Sequence, residues 1–292
     1  MKAIELPEKL IPEFIEYCNK YGHEQDESYL PDKSFKPGSD DPTIILIEDN
    51  KITGAASLIL HPEYRELKKG RFRIFHSIRK DAECYSMLLE NLVRCAHGIK
   101  NVYCFIQDKY EDVRRIWEEI GFEIERYSWV LSRETGNHQP AAFPAGFYLK
   151  PLHGSNDEQA FCDTINIAFE KHAGHRHMRR AMIEEFKTEA GYLNDGLYLL
   201  WDQNKPVGTM HLVEESENGI PILFIQALSI LPGYQGKGLG KNLLRAALEY
   251  GERKGYKIAA LSVNAENENA ANLYIREGFK MNELFICYHK DL

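Results

Sequence analysis

Two stretches of this chain resemble each other at a constant separation. Glu118–Phe122 reads EEIGF and Ile275–Phe279 reads IREGF, so Gly121 and Gly278 lie 157 positions apart. The same separation relates three further pairs, namely Ile106 and Val263, Ile116 and Leu273, and Trp117 and Tyr274. A constant offset across several matches indicates an internal duplication. The chain has 292 residues, which is enough for two domains of about 150 residues that each bury a core.

One change in composition separates the two halves. Residues 134–146 hold two prolines and two glycines without apolar periodicity, which is typical of a linker. We therefore expect one domain over 1–134 and a second over 146–292, both of mixed α/β class. In the second half the patterns predict strands at 147–152, 196–215 (two strands with a turn), 222–231, 257–263 and 281–289, and helices at 157–170, 178–189, 242–254 and 269–277.

The charge balance bears on the class of partner. Asp and Glu number 44 against 36 Lys and Arg, which gives a net charge of −8. Nucleic-acid binding needs clustered positive charge, so a nucleic-acid partner is disfavoured, whereas a cationic or amine-bearing small substrate is favoured. No apolar run reaches the length of about 18 residues that a membrane span needs, and Met1–Lys9 lacks the apolar stretch of a signal peptide.

Cysteines and histidines give no sign of a metal site. The six cysteines are scattered and form no CxxC pair, which predicts reduced thiols in a cytoplasmic protein. His172, His175 and His177 lie close together in sequence, but no Cys or Asp flanks them. We therefore expect an exposed connection or a border of an acceptor site there, and no bound metal.

The sequence QGKGLGK follows an apolar strand and opens a helix. It comprises Gln235, Gly236, Lys237, Gly238, Leu239, Gly240 and Lys241. Glycines remove side chains from the turn, so backbone N–H groups can converge on an anion, and the helix N-terminus adds partial positive charge. The two lysines can add full charges. The pattern therefore predicts a phosphate-binding loop.

Residue identities exclude two nucleotide-binding motifs. A Walker loop needs Ser or Thr after Gly-Lys, where this chain has Asn242, and Gln235 holds the place of its first glycine. The dinucleotide fingerprint GxGxxG fails because Lys241 stands where its last glycine belongs. The pattern that fits is Q/R-x-x-G-x-G/A, met by Gln235, Gly238 and Gly240.

This loop resembles that of the GNAT superfamily of acyl-CoA-dependent N-acyltransferases. The segment Val263–Phe279, with Asn267 and Tyr274, is similar to the second signature of that family, and Leu228–Pro232 resembles its strand before the loop. The match covers residues 147–292. The resemblance implies two GNAT-like domains, each with a mostly antiparallel central sheet flanked by helices, and acetyl-CoA as co-substrate.

The resemblance also implies roles for individual residues. Backbone groups of Leu228, Ser229 and Ile230 would pair with the pantetheine arm, and one N–H group there would polarise the thioester carbonyl. Tyr274 would protonate the leaving thiolate, because a phenol with a pKa of about 10 stays protonated at neutral pH. Asn267 would hydrogen-bond the pantetheine or ADP region.

The general base stays open. Many members of the family carry a Glu two residues before the position of Leu228, where this chain has Gln226. Glu214 and Glu215, at the end of the preceding strand, are the nearest carboxylates by order, and strand alternation puts one of them on the inner face. A water-mediated base, or an acceptor amine that is already neutral, would serve as well.

The first half lacks the parts of the loop. Ile78–Glu83 has no glycine, and its two acidic residues would repel a pyrophosphate. When His76–Ile78 is matched to Leu228–Ile230, the first half has five fewer residues than the second before the next helix. Trp117 stands at the position of Tyr274. We expect a degenerate first domain that does not bind CoA in this manner.

Together these patterns predict acetyl transfer from acetyl-CoA to the primary amine of a small molecule, by direct transfer, in a monomer or homodimer. Two other functions stay open at this point. One is a non-catalytic acyl-CoA-binding or regulatory module, since Gln226 leaves the base unassigned. The other is acetylation of peptide N-termini or lysines, which shares the cofactor site and differs in the acceptor cleft.

Overall fold

The computed structural model describes residues 1–172, 177–217 and 219–292. The chain forms two compact units, and neither is a continuous piece of the sequence. Unit 1 comprises Met1–Ser128, Asn264–Glu266 and Glu283–Leu292, and unit 2 comprises Trp129–Val263 and Asn267–Asn282. This division differs from the sequence-based boundaries, because the residues from Glu283 onward group with the first unit.

Strands and α-helices are assigned as follows within the described residues. The strands are β1 (Lys2–Glu5), β2 (Thr43–Glu48), β3 (Lys51–Ile59), β4 (Lys69–Ser77), β5 (Asn101–Gln107), β6 (Glu123–Glu134), β7 (Phe147–Pro151), β8 (Tyr192–Asp202), β9 (Lys205–Glu217), β10 (Ile220–Ile230), β11 (Ile258–Asn264) and β12 (Lys280–Asp291). The helices are α1 (Ile11–Tyr21), α2 (Pro62–Glu66), α3 (Ala82–Cys95), α4 (Glu111–Glu119), α5 (Gly154–Phe169), α6 (Arg180–Phe186), α7 (Leu239–Lys254) and α8 (Glu268–Arg276).

Unit 1 is built on a sheet in which β1, β2, β3, β4, β5 and the C-terminal part of β12 follow one another. Only the β4–β5 pair in this series is parallel. Phe285–Asp291 of β12 pairs with Asn101–Gln107 of β5, and this pairing explains why the C-terminal residues belong to unit 1. Helices α3 and α4 cover a core on one face of the sheet, and α1 covers a second core on the other.

Unit 2 contains the strands β11, β10, β9, β8 and β7 in that order, with residues 129–134 of β6 beside β11. Helices α7 and α8 pack on one core and α5 and α6 on another. Helix α7 buries Leu243, Leu244, Ala247 and Leu248, which recur at helical spacing. It ends at Gly255, whose φ of +89° suits a residue without Cβ.

The predicted duplication is visible in the element bounds. Three successive elements of the first half, β5, α4 and β6, begin and end 157 positions before β11, α8 and β12. Gly121 and Gly278 follow α4 and α8 with φ of +86° and +89°. A residue with a Cβ would be strained at either position, so the matched glycines are the positions where both helices stop.

The end of β4 corrects one count made from the sequence. Ser77 pairs with Gly54 as Ile230 pairs with Gly208, so β4 and β10 are related by 153 positions rather than 152. The connection to the next helix is therefore four residues shorter in the first half than in the second, not five. The prediction was wrong because a match of two residue identities does not set strand register.

The predicted linker is held against α7. The Ala141 N–H donates to Glu249 Oε1 at 2.7 Å, and the Ala142 N–H donates to Asn242 Oδ1 at 3.0 Å. These contacts make residues 135–146 a packed part of unit 2 and not a free spacer.

All six cysteines are free thiols, five of them buried and Cys95 partly exposed. Among the described helices, none combines the length and apolar character that crossing a membrane requires.

We expect the free energy of unfolding to decrease as the pH falls from about 6.5 to 4.5. Burial lowers the pKa of His76 to about 3 and that of His211 to about 4. The unfolded chain, in which histidine titrates near 6.5, binds more protons in this range, so each histidine removes roughly 2–3 kcal/mol by pH 4.5. His61 opposes the trend, because its hydrogen bond to Asp41 raises its pKa.

Urea unfolding at about pH 7 and about pH 4.5 measures this dependence. The His211→Phe variant should lose the part of this pH dependence that the His211 ring contributes. The His97→Gln variant, at an exposed position, should show the same pH dependence as the wild type. Equal pH sensitivity in the wild type and in His211→Phe would contradict the assignment.

Candidate active site

The parallel pair β10–β11 separates soon after it forms. The two strands pair at Leu223–Ala259 and Phe224–Ala260, and no later residue of β10 pairs with β11 in their register. On its other side β10 stays paired with β9 as far as Ile230. We call the resulting gap the β10–β11 wedge. Its β10 edge is open to an extended ligand that can pair with a strand.

A β-bulge marks the place where the wedge opens. Ile225 pairs with Leu212 and Ala227 with His211, so Gln226 is the extra residue on β10. Bulges bend a strand and increase its twist, which turns the end of β10 away from β11. The Gln226 side chain is exposed.

The glycine loop lies directly after the β10 edge of the wedge. Gln235 Nε2 donates to the Ile230 carbonyl at 3.1 Å and ties the loop to the strand end. Gly236 and Gly238 have φ of +76° and +75°, and a Cβ on either would meet no heavy atom within 4 Å. Left-handed glycines between right-handed residues turn successive N–H groups towards one side, so the loop can surround an anion.

The N-terminus of α7 adds to this electrostatic potential. Its N-cap residue is Gly238, which has no side chain to accept from the first N–H groups of the helix. Lys237 lies with its Nζ 4.7 Å from the ring centroid of Tyr234, and Lys241 is exposed. Neither lysine forms an ion pair with a residue that the structure describes. Both charges are therefore available to a phosphate.

Helix α8 approaches the same loop. A Cβ on Gly240 would lie 3.8 Å from Leu273 Cδ2 and 4.0 Å from Ile230 Cγ1. Leu239, beside it, is buried in the core under α7, and Leu228 and Tyr274 pack against that core as well. The structure thus brings together the strand end, the loop and the second signature segment.

Tyr274 has the protonation state of an acid at neutral pH. Burial raises the pKa of its phenol to about 12. The ring centroid lies 6.0 Å from that of Phe279, and the hydroxyl makes no hydrogen bond to a described residue. The hydroxyl is thus protonated and available to a reacting group.

Two other predicted residues use their side chains within the fold. Ser229 Oγ lies 2.7 Å from Thr209 Oγ1 in a buried pair, so only its backbone is left for a ligand. Asn267 is the N-cap of α8, and its Oδ1 accepts from the Ala270 N–H at 3.3 Å. The amide nitrogen of Asn267 is not used in this cap.

The two predicted carboxylates lie away from the bulge. Glu214 pairs with Leu223 and Glu215 with Ile222, near the start of β10. Leu223 and Leu228 are five residues apart, or about 16 Å along an extended strand. Tyr256 also donates its hydroxyl to Glu214 Oε2 at 2.6 Å.

His211 is a site residue that the sequence analysis did not single out. It lies on β9 opposite Ala227, beside the bulge, and is 5% exposed. Its Nε2 has no partner among the described residues, and the ring packs against Phe186 of α6 at 5.0 Å. A lone histidine in an apolar strand carries no sequence signal, because its importance comes from its cross-strand neighbour.

Part of the histidine segment lies outside the described residues, including His175. His172 packs edge-on against Phe169, and His177 Nε2 lies 3.3 Å from Asn166 Nδ2. Within ranges 1–172, 177–217 and 219–292, no three His, Cys, Asp or Glu side chains are grouped for metal binding.

Comparison with known proteins gives concordant results. Residues 159–279 match the Acetyltransferase (GNAT) family. Over 262 residues the chain is 24% identical to mycothiol acetyltransferase from Renibacterium salmoninarum, which covers 86% of this chain and 72% of that protein.

Two solved structures share the architecture. A tandem GNAT protein from the clavulanic acid biosynthesis pathway superposes with a TM-score of 0.69 at 12% identity, over 99% of this chain and 98% of that one. A GCN5-related N-acetyltransferase from Sphaerobacter thermophilus gives a TM-score of 0.67 at 16% identity, over 89% of this chain and 82% of that one. The predicted fold class, with two GNAT-like halves of mixed α/β structure, is confirmed. The family match covers residues 159–279, and the chain as a whole is similar to N-acetyltransferases of the GNAT family in two-domain form.

Proposed function

We propose that this enzyme transfers an acetyl group from acetyl-CoA to the primary amine of a small molecule, and that unit 2 carries the reaction. The observation that supports this most is the coincidence of the β10–β11 wedge and the glycine loop at one end of β10. The wedge offers backbone groups to an extended chain of amides, and the loop offers N–H groups to a diphosphate. Coenzyme A joins these two chemical features in one molecule.

The residues present fit this co-substrate. Gly236 and Gly238 leave the space in front of the loop open, and Lys237 and Lys241 supply charge opposite to that of a diphosphate. The β10 edge from Leu228 to Ile230 would carry the pantetheine arm.

Two groups of the chain act on the reacting atoms. Acetyl-CoA supplies the acetyl group as a thioester, and in the transfer a C–N bond forms while the C–S bond breaks. A backbone N–H near Leu228 stabilises the negative charge that develops on the carbonyl oxygen. Tyr274 gives its phenol proton to the departing sulfur, which its raised pKa of about 12 allows because the phenol is fully protonated at neutral pH.

The amine must lose a proton, and we assign this step to water. Gln226 at the bulge cannot act as a carboxylate base, and Glu214 is engaged by Tyr256 and lies opposite Leu223, about 16 Å along the strand from Leu228. Burial lowers the pKa of His211 to about 4, so this side chain is neutral at physiological pH and holds a proton too weakly to act as the base. The neutral fraction of the amine would therefore attack the carbonyl, and water would carry the proton of the resulting ammonium to bulk solvent. The Tyr274 phenolate would regain its proton from solvent.

Two observations support a small amine as acceptor. The relatives that match most of the chain are named mycothiol acetyltransferases. The net charge of −8 attracts a protonated amine to the protein and disfavours a polyanion.

We expect thiol release when the enzyme is mixed with acetyl-CoA and a suitable amine. A colorimetric thiol assay over polyamines, amino acids, aminoglycosides and peptides tests this and identifies the acceptor. Gly238→Val should weaken CoA binding by about tenfold or more, since a branched side chain at φ +75° distorts the loop and occupies the ligand's space. No thiol release with any amine above hydrolysis would contradict the proposal.

Gly255→Val provides the matched control for the loop variant. Gly255 has φ of +89° at the other end of α7, and a Cβ there also meets no heavy atom within 4 Å. Both variants carry the same kind of backbone strain. Equal losses of CoA affinity in the two would attribute the effect to helix destabilisation and not to the loop.

Tyr274→Phe should lower kcat by about 100-fold or more and leave the Kd of CoA unchanged, because it removes a proton donor without removing the ring. Steady-state rates with a good acceptor, together with calorimetric CoA binding, measure the two quantities. A variant with normal kcat would exclude Tyr274 as the acid. Acceptors should respond alike, since the proton goes to sulfur in every case.

Asn267→Asp should weaken CoA binding about three- to tenfold, which is the usual effect of one lost hydrogen bond. The aspartate keeps an oxygen that can cap α8, and it replaces the amide nitrogen with a second, negatively charged carboxylate oxygen. Thermal unfolding should therefore show wild-type stability, in contrast to Asn267→Ala. An unchanged Kd in Asn267→Asp would restrict this residue to its capping role.

A further inference from the structure

Unit 1 contains a strand separation equivalent to the β10–β11 wedge. Strands β4 and β5 pair from Lys69–Asn101 to Arg71–Tyr103 and then part. Arg71 and Tyr103 correspond to Phe224 and Ala260, the last pair before the wedge of unit 2, by the offsets of 153 and 157. Unit 1 therefore has its own gap, at the same register, between the end of β4 and β5.

The bulge is repeated as well. Ser57 pairs with Ile74 and Leu58 with Phe72, so Arg73 is the extra residue on β4. Arg73 corresponds to Gln226 by the same 153-position offset. Both halves thus bend the same strand at the same place.

In unit 1 the chain itself fills the gap. Gln25 forms an antiparallel bridge with Ile106 of β5, and the Asp26 N–H donates to the Phe105 carbonyl at 3.1 Å. Gln25 is 2% exposed. Gln25 and Asp26 therefore lie beside β5 inside the gap, directly after the 3-10 turn Gly22–Glu24.

The Gln25 side chain completes the pairing on the other side. Its Oε1 accepts from the Phe75 N–H at 2.9 Å, and its Nε2 donates to the Phe75 carbonyl at 2.5 Å. Cys104 Sγ lies a further 3.4 Å from Oε1. One primary amide thus satisfies both backbone groups of Phe75, as a peptide group of a neighbouring strand would.

Phe75 is the residue that corresponds to Leu228. In unit 2, Leu228 is where we propose that the amide-bearing arm of acetyl-CoA pairs with the strand. The Gln25 amide therefore holds, in unit 1, the position of a pantetheine amide.

Ion pairs hold this segment on both sides. Glu24 Oε1 lies 2.9 Å from Lys80 Nζ, and Asp26 is paired with the buried guanidinium of Arg71. Both carboxylates are largely buried, and removing the segment would take its carboxylate partner from the buried guanidinium of Arg71.

The rest of the acyl-CoA machinery is replaced in unit 1. The connection after β4 has no glycine, and Asp81 caps α3 by accepting from the Cys84 N–H at 2.8 Å. A carboxylate thus stands where the loop of unit 2 would meet a diphosphate. Trp117, which replaces Tyr274, is fully buried.

We propose that residues 24–26, with the Gln25 amide at their centre, are an internal substitute for the acyl carrier in unit 1, so that each chain binds one acyl-CoA. This inference rests on the proposed function of unit 2. It attributes the absence of acyl-CoA binding in unit 1 to the Gln25 side chain as well as to the missing glycines.

Calorimetric titration of the full chain with coenzyme A tests the number of sites. We expect one site per chain, weakened at least tenfold by Gly238→Val. Two comparable sites in the wild type, or a full-strength site that survives Gly238→Val, would overturn the closure of unit 1. Absence of any binding would overturn the proposed function of unit 2 instead. The hydrogen-exchange experiment below would then test by itself whether residues 24–26 close unit 1.

Hydrogen exchange at the Phe75 amide tests directly whether the Gln25 side chain closes the gap in unit 1. Gln25→Met keeps the length of the side chain and removes its amide, and Gln25→Ala removes both. We expect exchange at Phe75 to become at least tenfold faster in both variants and to stay unchanged in Gln159→Met, an exposed position on α5. Unchanged protection in Gln25→Met would overturn the proposal, and this variant serves alone if Gln25→Ala does not fold.

Discussion

The requirement that buried backbone polar groups find partners governs both units. A parallel strand pair that parts after two or three residues leaves N–H and C=O groups along each inner edge, and such groups are costly when unpaired. In unit 1 the side-chain amide of Gln25 satisfies both backbone groups of Phe75. Unit 2 leaves the edge from Leu228 to Ile230 for a ligand, according to the function proposed above.

The same fold therefore carries two opposite electrostatic environments at one position. Ahead of α7 stand two left-handed glycines, two lysines and a helix N-terminus without a side-chain cap. Ahead of α3 stands Asp81, whose carboxylate already accepts from the Cys84 N–H, one of the groups that an anion would need. Four residues of loop length and the identity of one capping residue separate the start of α7 from the start of α3.

Local features of the site were predictable from the sequence, and features that depend on distant contacts were not. The glycine loop, the ends of α4 and α8, and the position of Tyr274 follow from residue types and spacing over a few positions. The bulge at Gln226 has no compositional mark, because it depends on how β10 pairs with β9. The carboxylates of Glu214 and Glu215 were candidates by chain order only, and strand register sets Glu214 about 16 Å along the strand from Leu228 and Glu215 one residue farther. Gln25 acts on a strand 50 positions away.

The pairing of Phe285–Asp291 with β5 has a consequence for how the protein is made. During synthesis, residues 1–128 leave the ribosome long before the strand that covers the edge of β5 exists. An open strand edge is prone to pair with other chains, so the nascent first half is exposed to aggregation until β12 has been synthesised. Folding of unit 1 is thereby coupled to synthesis of β12, and a chain that stopped before Phe285 would have an uncovered edge.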